Sequence, residues 1–345
     1  MKKNRFFYWL FQCCTAIFVL ASNIWLSFAL WVHKPFGNTM TWVAIAFWTV
    51  LTFSLIGLYI KRVIFSRKTD IFIYLGCLSI GLIWFFSMQP QNYREWDPEV
   101  AKVMTYQKNG NLIQLDNVRN FHWRNLRDYD VIWESRKYDL DKIETFDLIL
   151  SDWGLKKIVH TMVSFGFSDG QRISFSIEIR KEKGESFSAI GGFFRQFELG
   201  FVAGDELDLL YTRTNIRGED VYIYPVRLSK EAIQELFILY LQKGQYLSEN
   251  PRWYNTLMSN CTTLIFDMMA KIEMIPFDYR GVLSGLLPEY LYDKGALDHK
   301  HSVEEWRNIA HANPKVADFT NLSESATSIY SQLIRRDFPA IQNKE

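Results

Sequence analysis

Residues 158–180 read IVHTMVSFGFSDGQRISFSIEIR, and their alternation decides the fold class. Ser168-Asp169-Gly170 sits between two runs of alternating residues. A three-residue hairpin loop ending in glycine is common, because glycine accepts the left-handed backbone that closes it. In that register Val159, Thr161, Val163 and Phe165 lie opposite Ile179, Ile177, Phe175 and Ile173. They form one apolar face, and a slip of a single residue would turn it over. The other face carries Ile158, His160, Met162 and Ser164 opposite Arg180, Glu178, Ser176 and Ser174. His160 and Glu178 are therefore expected to be cross-strand neighbours.

Working outward, residues 146–150 predict another short strand, broken at Asp152-Trp153-Gly154. Residues 103–106 and 112–115 predict a hairpin around Gly110, and residues 89–100 read as a polar linker. Further strands are expected over 194–202, 207–212 and 221–226. Ser229 is placed to cap a helix over 230–243, in which Ile233, Leu236, Phe237, Tyr240 and Leu241 form an apolar stripe. A turn at Asn250-Pro251 precedes a second helix over 261–272, with Ser259 or Asn260 as cap and Leu264, Ile265, Met268, Met269 and Ile272 facing inward. Beyond residue 280 the chain is loop-rich, with helices expected near 302–310 and 322–335. The mixture predicts an α+β domain.

Three uncharged apolar stretches precede it, at 6–32, 41–60 and 71–88. A bilayer core needs about 20 apolar helical residues, so each reads as a membrane span. The first is too long for a cleaved signal peptide and has no clear small-residue cleavage site. Lys2, Lys3, Arg5, Lys61, Arg62, Arg67 and Lys68 flank one membrane side and only Lys34 the other. By the positive-inside rule the N-terminus is cytoplasmic and residue 89 onward lies outside, with Trp31 and Trp84 as interfacial anchors. Of the 39 basic and 38 acidic residues, eight basic and one acidic precede residue 89, leaving 31 against 37 and a net charge of −6. An acidic remainder argues against a nucleic-acid partner.

Cys13, Cys14 and Cys77 fall within the spans, so Cys261 is the one cysteine of the soluble part. Outside the cytoplasm an unpaired cysteine is either buried and inert or a working thiol. Cys261 begins a predicted helix, where the dipole favours a thiolate and free N–H groups can hold an oxyanion. A thiol nucleophile needs a base, and the base an orienting acceptor. His160 and Glu178 supply these, unless they form only a surface ion pair or Glu178 contacts Arg180; Asp169 is an alternative acceptor. His122, His299, His301 and His311 lie in less ordered sequence, and His299 and His301 have no acidic or cysteine partners at metal spacing, so no zinc site is expected; the thiol reading needs no metal or dissociable cofactor.

Several motifs resemble the Lnb N-terminal periplasmic domain family, whose namesake is a lipoprotein N-acyltransferase. They are Asp152-Trp153-Gly154, residues 159–165, 176–185 and 193–199, Asp205-Glu206, Trp253-Tyr254-Asn255 and Asn260-Cys261-Thr262-Thr263. The resemblance covers roughly 120–275. Histidine first, then Asn-Cys at a helix start, is also similar to permuted papain-like enzymes, among them lecithin:retinol acyltransferase relatives and the permuted NlpC/P60 branch. It implies a papain-like, NlpC/P60-like α+β domain that moves acyl groups through a cysteine thioester. In the namesake the spans follow the domain, whereas here three precede it, so the resemblance implies the chemistry rather than the acceptor.

The expected organisation is a three-span anchor (1–88), a linker with short strands (89–120), a catalytic domain (121–280) and a C-terminal helical extension (281–345). The expected activity is acyl transfer from phospholipid to an amine acceptor such as a lipoprotein N-terminus, at the outer face of a bacterial inner membrane. Cys261 would be the nucleophile, His160 the base and Glu178 the orienter. Asn260, Arg180 and Arg213 are weaker candidates for binding lipid phosphate or shaping the oxyanion site. The run Gly191-Gly192-Phe193-Phe194 is a candidate for lipid contact or for buried core. A cysteine peptidase or amidase acting on cell-wall peptide, and a non-enzymatic envelope assembly factor, are the alternatives.

Overall fold

The computed structural model describes residues 2–61, 64, 66–273, 278–320 and 326–339. Arg62 and residues 322–325, which entered the expectations above, lie outside the described residues. The chain forms two compact units, Met1–Pro90 with Ser188–Gln196, and Gln91–Phe187 with Phe197–Glu345.

The first unit contains α1 (Lys2–His33), α2 (Gly37–Lys61) and α3 (Arg67–Ser87). All three are long and apolar enough to cross a membrane, over Trp9–His33, Gly37–Lys61 and Arg67–Ser87. A helix suits such sequence because it satisfies every backbone polar group internally. Leu26, Trp48, Leu55, Tyr74 and Leu78 pack between the helices. Polar rungs tie them together. Asn23 Nδ2 donates to Thr52 Oγ1 at 3.0 Å, and the Ser22 and Tyr74 hydroxyls meet at 2.7 Å. A Cβ on Gly81 would lie 2.7 Å from the Leu26 side chain, so glycine permits this close packing.

Residues Ser188–Gln196 belong to the same unit. They contain the short helix α4 (Ala189–Phe193), capped by Ser188. The Phe194 ring lies 5.9–6.4 Å from those of Trp25, Phe28 and Phe85.

In the second unit, β1 (Thr105–Asn109) and β2 (Leu112–Arg119) form the expected hairpin, and β3 (His122–Asn125) and β4 (Asp128–Asp130) form a separate small one. Then come β5 (Trp133–Asp139), β6 (Ile143–Asp152), β7 (His160–Phe167), β8 (Arg172–Arg180), β9 (Glu198–Gly204) and β10 (Asp220–Pro225). The main sheet has eight strands in the order β1-β2-β9-β8-β7-β6-β10, with β5 also on β2. All its pairings are antiparallel except β2 with β9. The β7–β8 register is the one expected, with Met162 opposite Ser176, Val163 opposite Phe175 and Phe165 opposite Ile173. Gly170 takes φ +85° and closes the turn.

Phe146, Leu148, Val163, Phe165, Phe175 and Ile177 face a core shared with α6 (Lys230–Glu249) and α7 (Cys261–Glu273). Ser229 caps α6, and Ile233, Leu236, Phe237, Tyr240 and Leu241 are fully buried. α8 (Leu287–Asp293) and α9 (Val303–Ala310) complete that side. The opposite face is also covered. Ile149, Met162, Val221 and Ile223 pack with residues of α5 (Glu206–Leu209), α10 (Asn313–Val316) and α11 (Ala326–Leu333).

Three expectations are corrected. Residues 207–212 are helical rather than extended. Asp205 Oδ1 caps the Leu207 N–H at 2.8 Å, and Leu207, Leu210 and Tyr211 meet the core at helical spacing. A π-helical turn over Thr212–Arg217 follows. The strand expected over 194–202 starts only at Glu198, since Arg195 has φ +56° and residues up to Gln196 lie in the membrane unit. Residues 91–100 are docked rather than free. Asp97 N–H bonds Lys181 O at 3.0 Å, and Lys183 N–H bonds Glu95 O at 2.7 Å.

Candidate active site

Cys261 opens α7, and Asn260 makes the opening. Asn260 Oδ1 accepts from the Thr262 and Thr263 N–H groups at 3.0 Å each, while its Nδ2 donates to Thr256 O at 2.8 Å. Such a cap contributes about 1 kcal/mol. It also occupies two of the N–H groups expected to serve an oxyanion. The Cys261 N–H has no such partner among the described residues. Asn260 thus acts as the helix cap.

His160 begins β7, and Glu178 stands across from it on β8 with Oε1 3.3 Å from His160 Nε2. Ser176 joins them. Its hydroxyl donates to Glu178 Oε1 at 2.5 Å, so at 2.8 Å it must accept from His160 Nε2. That arrangement puts a proton on Nε2 and leaves Nδ1 to exchange one with the thiol. Arg213, from the π-helical turn, donates Nη2 to Glu178 Oε1 at 2.7 Å and Nη1 to Leu209 O at 2.8 Å. The structure therefore places Arg213 behind the carboxylate. Two further bonds hold the site in register. The Thr161 and Thr262 hydroxyls meet at 3.0 Å, and Ser284 Oγ accepts from Val159 N–H at 2.8 Å and donates to Val159 O at 2.7 Å.

The charges support one another. Burial alone would raise the Glu178 carboxyl, but the His160 and Arg213 charges hold it well below its ordinary range. Burial would lower His160; Glu178 and the Cys261 thiolate instead push it up to about 9. Burial would raise the Cys261 thiol, and the His160 charge, with hydrogen bonds from His160, Thr161 N–H and Thr262, keeps it below its ordinary value. Each group thus favours the charged form of the other.

These groups line a cleft of about 450 Å³. Its walls include Trp153, Ile158, Phe187, Leu257 and Val282. Trp153 is 47% exposed, Phe187 58% and Leu257 53%, so the cleft is rimmed by apolar side chains open to solvent. Its cations are already paired, Arg119 with Asp208 at 2.8 Å, Arg217 with Glu99 at 2.6 Å and Lys181 with Asp97 at 3.3 Å.

Arg180 is placed elsewhere. Its guanidinium donates to Val100 O, Asn92 Oδ1 and Ala101 O at 2.7–3.0 Å and lies 4.4 Å from the Trp96 ring centre. It fastens the 92–101 segment and is absent from the cleft lining. Asp169 stays in the hairpin turn, paired with Lys142 at 3.2 Å. Ser176 was missed as a site residue, although its place two residues before Glu178 on one strand face was a usable signal. Ser284, far along the chain in a loop-rich stretch, gave none.

Residues 129–285 match the family model described as the Lnb N-terminal periplasmic domain. The chain carries a domain of that family. The matched stretch of the Lnb N-terminal periplasmic domain includes His160, Ser176, Glu178, Arg213, Cys261 and Ser284, while α1–α3 and α9–α11 lie outside it. Together with three helices apolar enough to span a bilayer, it makes this a membrane protein with a periplasmic domain. Searches of curated proteins and of solved structures gave no match.

Proposed function

We propose that the protein is a membrane-anchored thiol acyltransferase of papain-like type, with its N-terminus cytoplasmic and Cys261 outside. The observation that carries this reading is a thiol–imidazole–carboxylate set opening into an apolar cleft whose cations are already neutralised. Such a cleft suits an acyl chain better than a charged wall peptide.

The Cys261 thiolate attacks the ester carbonyl of a phospholipid, beside the Cys261 N–H. Protonated His160 gives its proton to the departing lyso-lipid oxygen, leaving a thioester. An amine, such as a lipoprotein N-terminus, then attacks the thioester. His160 takes the amine proton, the amide forms and the thiolate is released. Glu178 keeps the imidazole oriented and steadies its charge. Two substrates used in turn predict ping-pong kinetics.

The test is to incubate purified full-length protein with labelled phospholipid and a diacylated lipopeptide. Label is expected on Cys261 first and on the peptide amine second. Cleavage of wall peptides with no acyl group ever on Cys261 would establish the amidase reading instead. Neither reaction in folded protein would favour an assembly factor. Orientation is tested by a reporter fused after residue 95; a cytoplasmic signal there would reverse the assignment.

A further inference from the structure

Arg195 has no part in the thiol chemistry, yet its setting is specific. Its backbone holds φ +56°, uncommon for a residue with a side chain. Its guanidinium lies over two rings, 5.0 Å from the centre of Phe85 and 4.8 Å from that of Phe86. Nη1 donates to Phe85 O at 3.3 Å. The adjoining Phe194 carbonyl accepts from His33 Nε2 at 2.6 Å, and the residue after His33 is Lys34, also at positive φ (+44°). Two cations thus flank one hydrogen bond at the same end of the helices.

Neither Arg195 nor Lys34 has an ion-pair partner among the described residues. The membrane unit contains a single acid, Asp70, in the first turn of α3 and so at the opposite end from Phe85 and Phe86. Burial pushes the Arg195 pKa down with no carboxylate opposing it. Depth follows from helix geometry. Phe85 is two residues before the last residue of α3, about 3 Å at 1.5 Å per residue, and His33 ends α1. That is the level of the headgroups, where aromatic side chains gather. A guanidinium packed on rings, with N–H groups to spare, is suited to a tetrahedral oxyanion.

We propose that Arg195 and Lys34 bind the phosphate of a glycerophospholipid headgroup, making the Ser188–Gln196 segment a lipid-binding element of the membrane unit. The site stands independently of the thiol chemistry, so Cys261→Ala protein should bind the same lipid.

Native mass spectrometry of the full-length protein in detergent tests it, with dioleoyl-phosphatidylglycerol and phosphate-free dioleoylglycerol as probes. The phospholipid adduct is expected to persist and the diacylglycerol adduct to be lost. Arg195→Asn, which tolerates positive φ, should weaken phospholipid binding about tenfold or more, and Lys34→Asn by a smaller factor. Excess inorganic phosphate should leave the adduct in place. Equal retention of diacylglycerol, or displacement by inorganic phosphate, would overturn the proposal. So would unchanged affinity in the double variant. If Arg195→Asn lowers the melting temperature, Lys34→Asn alone decides, and unchanged affinity there overturns the proposal.

Discussion

Two buried ionic clusters share one face of β7 and β8, and they differ in a single respect that matters. Toward one end, Glu178 receives His160, Ser176 and Arg213. Toward the other, Glu206 and Asp147 receive Arg172 and Arg335, with the Ser164 and Ser331 hydroxyls completing Glu206. Both glutamates are held low by cations. Burial would raise Glu206, and Arg335 and Arg172 instead bring it to about 2. The second cluster contains only permanent cations and carries α11 on it. The first replaces one arginine by an imidazole beside a thiol and opens into a cleft. Fixed charges hold an element in place, whereas the first cluster includes a group whose proton can exchange.

Four substitutions probe that contrast. Cys261→Ala should cut acyl transfer by roughly 10⁴-fold while the melting temperature stays within about two degrees, since the members of such a set act as a unit. Near-normal turnover in the folded variant would sink the thiol mechanism. Glu206→Gln should act oppositely, costing about 3–5 kcal/mol in denaturant unfolding because two arginines lose a buried partner, with turnover of the folded fraction kept. The pH dependence has a definite sign. Glu206 lies below its ordinary 4.5 in the folded state, so its contribution of about 3 kcal/mol is full above pH 4.5 and lost as pH falls toward 2. Glu206→Gln should flatten that acid slope.

Glu178→Gln comes third, with turnover falling on the order of 10²-fold. Wild-type activity should decline at high pH as His160 loses its proton near pH 9. Without the Glu178 charge that proton is held less tightly, so the alkaline limb of the pH–rate profile should move to lower pH. An unmoved limb would mean another group supports the imidazolium. Asp169→Ala should do least, about 0.5 kcal/mol or less in stability and nothing to turnover, because Asp169 serves the hairpin turn.

The hairpin register, the stripe of α6 and the start of α7 were legible because each depends on neighbours in sequence. Glycine closes one turn, Ser229 and Asn260 cap the helices, and the apolar spacing does the rest. The His160–Glu178 pairing followed directly from that register. The burial of the polar β7–β8 face was not legible, since it is covered by α11 and anchored by Arg335, more than 150 residues further on. Arg213 was visible as a candidate, but its role was hidden. The residues before it were read as a strand, whereas Asp205 starts a helix there that turns Arg213 toward Glu178. Residues 91–100 read as a polar linker because their polarity is answered by backbone bonds to Lys181 and Lys183, just past β8, which no local pattern announces.

Because Ser188–Gln196 belongs to the membrane unit, the polypeptide passes between the two units three times, at Pro90–Gln91, Phe187–Ser188 and Gln196–Phe197. A protease nick after residue 90 therefore leaves the domain still joined, between β8 and β9, to a segment of the membrane unit. A recombinant fragment starting at residue 91 would have to carry Phe193 and Phe194 without the aromatic berth that Trp25, Phe28 and Phe85 provide. A soluble version of this domain calls for two edits, removal of the helices and replacement of residues 188–196 with a short polar turn.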